Sequence, residues 1–204
     1  MKVAIIFLDY ERHDYTKETL KHIASAGYPF DLFTIQEKGI AKALNTGLEK
    51  TMTYDAVVTC DNDILLPYNW LLNMVDYISA IPNTGMCGIH CVENAGDIVE
   101  VNGKEIRKVE TAFGSKIMTR AGINAVGYFN EDYDPYGLQD SDYGLRLRQS
   151  GFINYYIPNL KAVHIGHDVG QQTEYRKIKD EGLKVSGEKW EYWTKRYESN
   201  RNSY

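Results

Sequence analysis

The chain has 204 residues, a length that suits a single domain with one hydrophobic core. Hydrophobic residues make up 43% of it and charged residues 25%, which is typical of a globular protein and excludes general disorder. The net charge of −5 argues against broad affinity for nucleic acids, because phosphate binding requires a surplus of Lys and Arg.

The cysteines and the chain start bear on the compartment. Cys60, Cys87 and Cys91 are odd in number and form no CxxC pair, which favours a reducing compartment over a disulfide framework. The apolar run after Met1 is too short for a signal peptide, and no apolar run is long enough to span a membrane. We therefore expect a soluble cytoplasmic protein, unless the chain was trimmed from a longer parent.

Strand and helix patterns alternate over the first half of the chain. Short apolar runs predict buried strands, and apolar residues at helical spacing predict amphipathic helices. The predicted strands are 2–8, 30–35 and 56–60, and the predicted helices are 16–26, 40–50 and 67–81. Thr16 is the expected cap of the first helix, and Pro67 the expected opening of the third. This alternation predicts a mostly parallel sheet covered by helices on both faces.

The second half consists of shorter predicted elements. Asn102-Gly103 is a strong signal for a tight turn and predicts a hairpin over 97–109. The other predicted elements are strands at 113–119, 152–157 and 161–165, a helix at 142–149, and an amphipathic helix containing 187–198. We expect one domain with a C-terminal appendage.

Asp61-Asn62-Asp63 follows the third predicted strand directly. Side chains two apart on an extended segment point the same way, so both carboxylates can face one cation. Ligands bind at the carboxyl ends of strands in open α/β sheets, and carboxylates suit hard cations such as Mg²⁺ or Mn²⁺. Asp and Asn are also common turn residues, so a purely structural role stays open for this segment.

Gln139-Asp140-Ser141-Asp142 opens a predicted helix. Asp140 or Ser141 can act as its N-cap. Alternatively, Asp140 projects into a cleft and takes a proton from a substrate hydroxyl, and the two roles are compatible.

His164 lies in the strand-like KAVHIGHDVG. A lone His beside an apolar strand is more often structural than a ligand, and His167 is a competing candidate. As a third metal ligand, an imidazole would favour Mn²⁺ over Mg²⁺.

The order and spacing of these motifs resemble glycosyltransferase family 2. KGIAKALNTGLEK followed by VVTCDNDILLP is similar to that family's Gly-and-Asn helix and aspartate-rich metal motif. The segment GSKIMTRAGINAVGYFNEDYDPYGLQDSDYGLRLRQSGF resembles its acceptor-side segment, and YYIPNLKAVHIGH its strand pair with a metal-binding histidine. The matched positions of the acceptor-side segment are Gly127, Phe129, Asp140, Asp142, Arg146 and Gly151. The resemblance covers roughly residues 2 to 167.

The resemblance implies an α/β fold of the GT-A (Rossmann-like) type. Its parts would be a mostly parallel central sheet flanked by helices, a small antiparallel second sheet and a C-terminal helical tail. A single catalytic domain over 1–204 would then comprise a nucleotide-binding half (1–95), an acceptor-side half (96–167) and a helical appendage (168–204).

The resemblance also implies residue roles. Asp63 would bind the metal directly, Asp61 would touch the metal or the donor ribose, and His164 would complete the metal ligands. Asp140 would be the catalytic base. The residues expected to bind the nucleotide sugar are Asp9, Tyr10, Glu11, Arg12, Asn45, Asp61, Asn62 and Asp63. The first four replace the usual Thr-Tyr-Asn-Arg beside the nucleotide base.

Two positions depart from the family pattern. The usual aspartate pair and Gly-Ser after the second strand are absent from FDLFTIQEKGI, which weakens the inference of a uridine nucleotide. The glutamate that normally precedes the catalytic aspartate is Gln139.

The sequence therefore predicts a metal-dependent glycosyltransferase that moves a sugar from a nucleoside diphosphate donor, UDP favoured, to an acceptor hydroxyl with inversion. Mn²⁺ or Mg²⁺ would neutralise the departing diphosphate. A tail segment with Gln171, Gln172, Tyr175 and Arg176 is a candidate cover for the donor.

The alternatives are a retaining transferase, a non-catalytic glycan- or nucleotide-binding module, and a sugar nucleotidyltransferase. The last would need a Gly-rich loop after the first strand, and FLDYERHDY contains no glycine. The expected acceptor is a glycan or another hydroxyl compound, with another sugar, a protein side chain and a lipid-linked glycan as alternatives. The transferred sugar and the oligomeric state stay open.

Overall fold

The structure is a computed structural model that describes residues 1–10, 13–90, 96–166 and 174–201. Its strands are β1 (Val3–Leu8), β2 (Asp31–Ile35), β3 (Ala56–Asp61), β4 (Ile64–Leu65), β5 (Thr84–His90), β6 (Ile98–Val101), β7 (Lys104–Val109), β8 (Lys116–Thr119), β9 (Ile153–Lys161) and β10 (Val163–His164). Its helices are α1 (His13–Ile23), α2 (Ile40–Lys50), α3 (Trp70–Ala80), α4 (Arg120–Val126), α5 (Gln139–Gln149) and α6 (Glu174–Arg201), with a 3₁₀ turn at Glu131–Tyr133.

Within the described residues, the central sheet has eight strands in the order β2-β1-β3-β8-β5-β9-β7-β6, and β4 and β10 form a small antiparallel second sheet. In the central sheet, β7 and β8 run against the other strands. The predicted mostly parallel sheet with a second small sheet is therefore confirmed. The carboxyl ends of β1, β3, β5 and β9 meet at one edge, and β8 begins at that same edge.

Helices cover both faces of the sheet, as the alternation predicts. Along β1, Val3, Ile5 and Phe7 pack with α1 and α3 on one face, whereas Ile6 packs with α2, α4 and α5 on the other. The side chains of β1 alternate between faces, so a strand buried on both sides reads as a continuous apolar run.

Element boundaries in the first half differ from prediction at two helix starts. α1 begins at His13, so Thr16 lies inside the helix and its hydroxyl donates to Asp9 Oδ1 instead of capping. α3 begins at Trp70, after Asn69 in the left-handed region (φ 57°), and Pro67 precedes the helix. A tertiary contact of Thr16 accounts for the first difference and the turn at Asn69 for the second. In both cases the helix does not start at the residue with the stronger local propensity.

The second half holds more corrections. The strand predicted at 113–119 is shortened to β8, and the strands predicted at 152–157 and 161–165 are instead the long β9 followed by β10. The helix predicted at 142–149 starts at Gln139, with Leu138 at its N-cap and no side-chain cap, so neither Asp140 nor Ser141 is the cap. The hairpin around Asn102-Gly103 is confirmed, and it extends the central sheet.

The C-terminal helix α6 is much longer than the predicted helical segment and is docked on the domain. Ser186 Oγ donates to the Tyr136 carbonyl (3.1 Å), Trp193 Nε1 donates to Asp132 Oδ2 (3.0 Å), and Tyr197 Oη donates to Asp142 Oδ1 (2.8 Å). Among the described residues, no helix is both long enough and apolar enough to cross a membrane.

Candidate active site

Two sequence motifs about a hundred positions apart meet at the carboxyl edge of the sheet. Asp61 ends β3, and the chain turns through Asn62 and Asp63 into β4. β4 pairs with β10 so that His164 stands opposite Ile64, and the Ile165 amide donates to the Asp63 carbonyl (2.9 Å). This pairing brings His164 Nε2 to 3.1 Å from Asp63 Oδ2.

The approach of this histidine segment depends on Gly166. A Cβ atom at Gly166 would lie 2.1 Å from Asp63 Oδ2 and 2.8 Å from Asp63 Cβ. Because the contact includes the root of the Asp63 side chain, rotation of the carboxylate alone would not relieve it. A glycine at position 166 is therefore needed for β10 and the residues after it to approach Asp63.

A second ion pair lies at the same edge. The ammonium of Lys116, the first residue of β8, is 3.0 Å from Asp140 Oδ1 in the first turn of α5. The Lys116 side chain is only 4% exposed and that of Asp140 15%. The preceding Gln139 is buried, and its Oε1 has no hydrogen-bond partner in the part of the chain that the structure describes.

Lys116 is not among the site residues predicted from the sequence. One feature of the sequence points to it. The apolar neighbours in GSKIMT predict a buried strand, and a lysine in a buried strand requires an opposite charge nearby. Its partner could not be found from the sequence, because β8 and α5 meet only through the sheet register, in which Lys116 lies between Thr59 and Gly88.

A cleft of about 330 Å³ opens at this edge, and it holds part of the predicted donor site. Of the predicted site residues, those that line it are Tyr10, Asp61, Asn62, Asp63 and His164. The remaining wall comes from Leu8 at the end of β1, from residues between Ile35 and Ala43, from Pro135 and Tyr136, and from Ile178 and Lys179 of α6. The side of α6 that faces the cleft thus supplies one apolar and one cationic residue.

Asp9 and Asn45 lie outside the residues that line the cleft, and both make internal hydrogen bonds. Asp9 is buried and accepts from Thr16 Oγ1 (2.5 Å) and Gln36 Nε2 (2.9 Å). Asn45 is clamped to the backbone of Phe129, donating to its carbonyl (3.0 Å) and accepting from its amide (2.8 Å). Asn45 therefore ties α2 to the segment that precedes the 3₁₀ turn.

Asn62 anchors the turn formed by Asp61, Asn62 and Asp63, which we call the aspartate turn. Its side-chain Nδ2 donates to Thr16 Oγ1 (3.2 Å) and its backbone carbonyl accepts from Thr19 Oγ1 (2.8 Å), so α1 holds the backbone between Asp61 and Asp63.

Several predicted residues lie outside the described part of the chain. They are Glu11, Arg12, His167, Gln171 and Gln172. The same holds for the Tyr175 side chain, and Arg176 pairs with Asp180 on α6 (2.6 Å).

The electrostatics of the edge reflect an excess of carboxylates. Burial, followed by the nearby charges of Asp63 and Asp140, raises the pKa of Asp61 to about 6, while Lys116 and His164 oppose this rise. The hydrogen bond with Asp63 raises the pKa of His164 above its ordinary value. Three carboxylates thus share two cationic partners, and the cluster favours an additional positive charge.

The donor set only partly matches the expected three-ligand metal site. Among the described residues, no group of three or more His, Cys, Asp or Glu side chains has the geometry of a metal site, although Asp61, Asp63 and His164 line the same cleft. The 3.1 Å between Asp63 Oδ2 and His164 Nε2 does fit one ion, because adjacent ligands of an octahedral cation at about 2.1 Å lie about 3 Å apart. A carboxylate and an imidazole are also a donor pair that suits Mn²⁺.

Replacing Asp61 with Asn is expected to stabilise the metal-free protein above about pH 6. The raised pKa means that the folded state holds the Asp61 proton more tightly than the unfolded state does. As pH rises from about 4 to about 6, the unfolded state releases this proton first, so the free energy of unfolding of the wild-type protein falls. This decrease in the free energy of unfolding is about 2–3 kcal/mol, and it should be absent from Asp61→Asn because Asn does not titrate. Urea unfolding in EDTA at about pH 4.5 and about pH 7.5 measures it.

Asp97→Asn, an exposed carboxylate just before β6, is the matched control. Identical pH dependence of unfolding in wild type and Asp61→Asn would contradict the assigned cause.

Several solved structures resemble this chain in fold. The Drosophila β1,4-galactosyltransferase 7 catalytic domain, solved with xylobiose, superposes with a TM-score of 0.62 at 16% identity, covering 87% of this chain and 78% of that one. The mannosyltransferase PcManGT from Pyrobaculum calidifontis, solved with GDP-Man and Mn²⁺, gives 0.64 at 20% identity over 83% of this chain and 58% of that one. GalNAc-T7, solved with UDP, GalNAc and Mn²⁺, gives 0.65 at 12% identity over 84% and 45%. This chain spans less than two thirds of the length of PcManGT and of GalNAc-T7. A search of curated proteins finds no match.

The fold is that of glycosyltransferases of the GT-A type. The model of glycosyl transferase family 2 matches residues 1–133, and the chain belongs to that family.

Proposed function

We propose that this protein is a metal-dependent glycosyltransferase that moves a sugar from a nucleoside diphosphate sugar, UDP-sugar favoured, to an acceptor hydroxyl with inversion. The observation that supports it most is the meeting of two pairs, Asp63–His164 and Lys116–Asp140, at one edge beside one cleft.

The cleft side of this edge suits the donor. Asp63 and His164 would hold Mn²⁺ or Mg²⁺, with Asp61 next to them toward the metal or the ribose. The bound metal would neutralise negative charge on the departing diphosphate. Tyr10, exposed at the cleft wall, offers a ring for the nucleotide base, and Lys179 offers a cation from α6.

The other side of the edge suits the acceptor. Asp140 would take the proton from the acceptor hydroxyl as that oxygen attacks the anomeric carbon from the face opposite the leaving diphosphate, which gives inversion. Lys116 would hold the Asp140 carboxylate in position through their ion pair.

Calorimetric titration of UDP tests the donor half. We expect UDP to bind wild type in Mn²⁺, and to bind at least about tenfold more weakly in EDTA or in Asp63→Ala, because the diphosphate then loses its cationic partner. Asp76→Ala, an exposed carboxylate on α3, is the control and should bind UDP like wild type.

Equal UDP affinity with and without metal would contradict the metal role. Absence of UDP binding in every condition would direct the test to GDP and dTDP, and failure of all three nucleotides would contradict the transferase proposal. Proton NMR of the anomeric centre in the product then distinguishes inversion from retention.

A further inference from the structure

A second concave surface adjoins the 135–141 segment, other residues of which line the donor cleft. We call it the aromatic groove: it has a volume of about 480 Å³, and the residues that line it include Phe113, Tyr156, Trp190, Glu110, Ser141 and Arg148. Pro135 and Tyr136 line the donor cleft, whereas Leu138 and Ser141 line the groove. Asp140 lies on the same short segment, so one stretch of chain serves both surfaces.

The groove presents an aromatic ring on a fixed backbone. Phe113 is 53% exposed, yet its amide donates to Tyr156 Oη at 2.6 Å, and Tyr156 itself is buried in β9. Phe113 also lies only three residues before Lys116. An exposed aromatic side chain on an anchored backbone is a partly preformed contact surface, since little backbone conformational entropy is lost when a ligand covers it.

The lining favours a carbohydrate over a lipid or a peptide. Pyranose rings have apolar C–H faces that stack on aromatic rings and hydroxyl rims that bond to charged groups, and the groove offers aromatic rings together with the exposed Glu110 and Arg148. These two charged side chains would interrupt contact with an acyl chain. A peptide could not add as a strand here, because β7 and β9 both lie inside the sheet.

We infer that the aromatic groove is the acceptor subsite and that it takes a carbohydrate, with a sugar ring packed against Phe113 and Trp190. This inference rests on the proposed transferase function and specifies its acceptor class. The volume of the groove falls in the range of small-molecule sites, about 300–1,000 Å³.

Titration of disaccharides followed through tryptophan signals tests the inference. The chain has three tryptophans, of which Trp70 is fully buried, and Trp190→Phe identifies the Trp190 indole N–H in a ¹H–¹⁵N spectrum. In the presence of UDP and Mg²⁺, xylobiose, cellobiose, maltose and N,N′-diacetylchitobiose are added separately. We expect at least one of them to shift the Trp190 signal and leave the Trp70 signal in place.

Phe113→Ala should weaken that disaccharide's binding by about 5- to 10-fold. Tyr68→Ala, which removes an exposed ring outside the groove, should not change it. UDP affinity, measured by calorimetry on the same samples, should be equal in wild type, Phe113→Ala and Tyr68→Ala, which separates loss of the acceptor subsite from loss of the fold or of the donor site.

If UDP binds but none of the disaccharides moves the Trp190 signal, the carbohydrate acceptor is wrong and the transferase proposal stands. The same holds if a Ser/Thr-rich peptide shifts that signal and the sugars do not. If neither UDP nor any disaccharide binds, both proposals fail.

Discussion

Asp140→Asn is expected to lower the rate of sugar transfer by about 10²- to 10⁴-fold, the usual contribution of a positioned general base. Asn keeps the shape of the side chain but cannot accept the acceptor proton. Because the donor cleft is lined by other residues, UDP affinity should stay within about twofold of wild type. The measurement is the initial transfer rate at saturating donor, together with a UDP titration of the same protein.

The variant also leaves the Lys116 ammonium without its 3.0 Å partner, so a fall in activity must be separated from unfolding. Asp140→Glu restores the charge and serves as the rescue, and it should recover part of the transfer rate. Thermal unfolding of all three proteins identifies the fraction folded during the assay. A transfer rate in folded Asp140→Asn within about tenfold of wild type would assign the base to another residue.

The fold could be predicted where local periodicity and burial agree. The helix over Ile40–Lys50 has the predicted bounds, and the Asn102-Gly103 hairpin follows from turn chemistry alone. β5 was missed because TGMCGIH interrupts its apolar residues with glycines, and its strand state comes from pairing with β8 and β9. β10 lies inside the strand predicted at 161–165, whereas the two-residue β4 was not predicted, and no local pattern reveals that the two strands pair.

For the site, the sequence predicted the motifs but not how they meet. The carboxylates of the aspartate turn and His164 line one cleft, since strand ends converge at a sheet edge. Asn45 matches the family's helix asparagine, yet its side chain is hydrogen-bonded to Phe129 and Glu131, a pairing that spans more than eighty residues. Such long-range hydrogen bonds depend on the packing of α2 against the 3₁₀ turn, and that packing has no signal in spacing or composition.

Lys116→Met is expected to cost about 3–5 kcal/mol of folding free energy and to abolish transfer. Removing one member of a buried ion pair leaves the other charge uncompensated, and this penalty exceeds the value of the pair itself. Burial and Asp63 already raise the pKa of Asp61, and Lys116 opposes that rise, so its loss also makes an ionised Asp61 less favourable. For a chain of this length, the change corresponds to a drop in the unfolding temperature of about 6–20 °C.

A double-mutant cycle separates this pairing from loss of packing. Because Lys116→Met with Asp140→Asn removes both charges, it should be less destabilised than the sum of the single variants by about 1–3 kcal/mol. Lys104→Met, which removes the exposed ion pair with Asp76, is the control and should cost about 1 kcal/mol or less. Additive single effects would mean that Lys116 and Asp140 act independently. Their ion pair would then not hold the base, and the assignment of Lys116 as its positioning residue would be wrong.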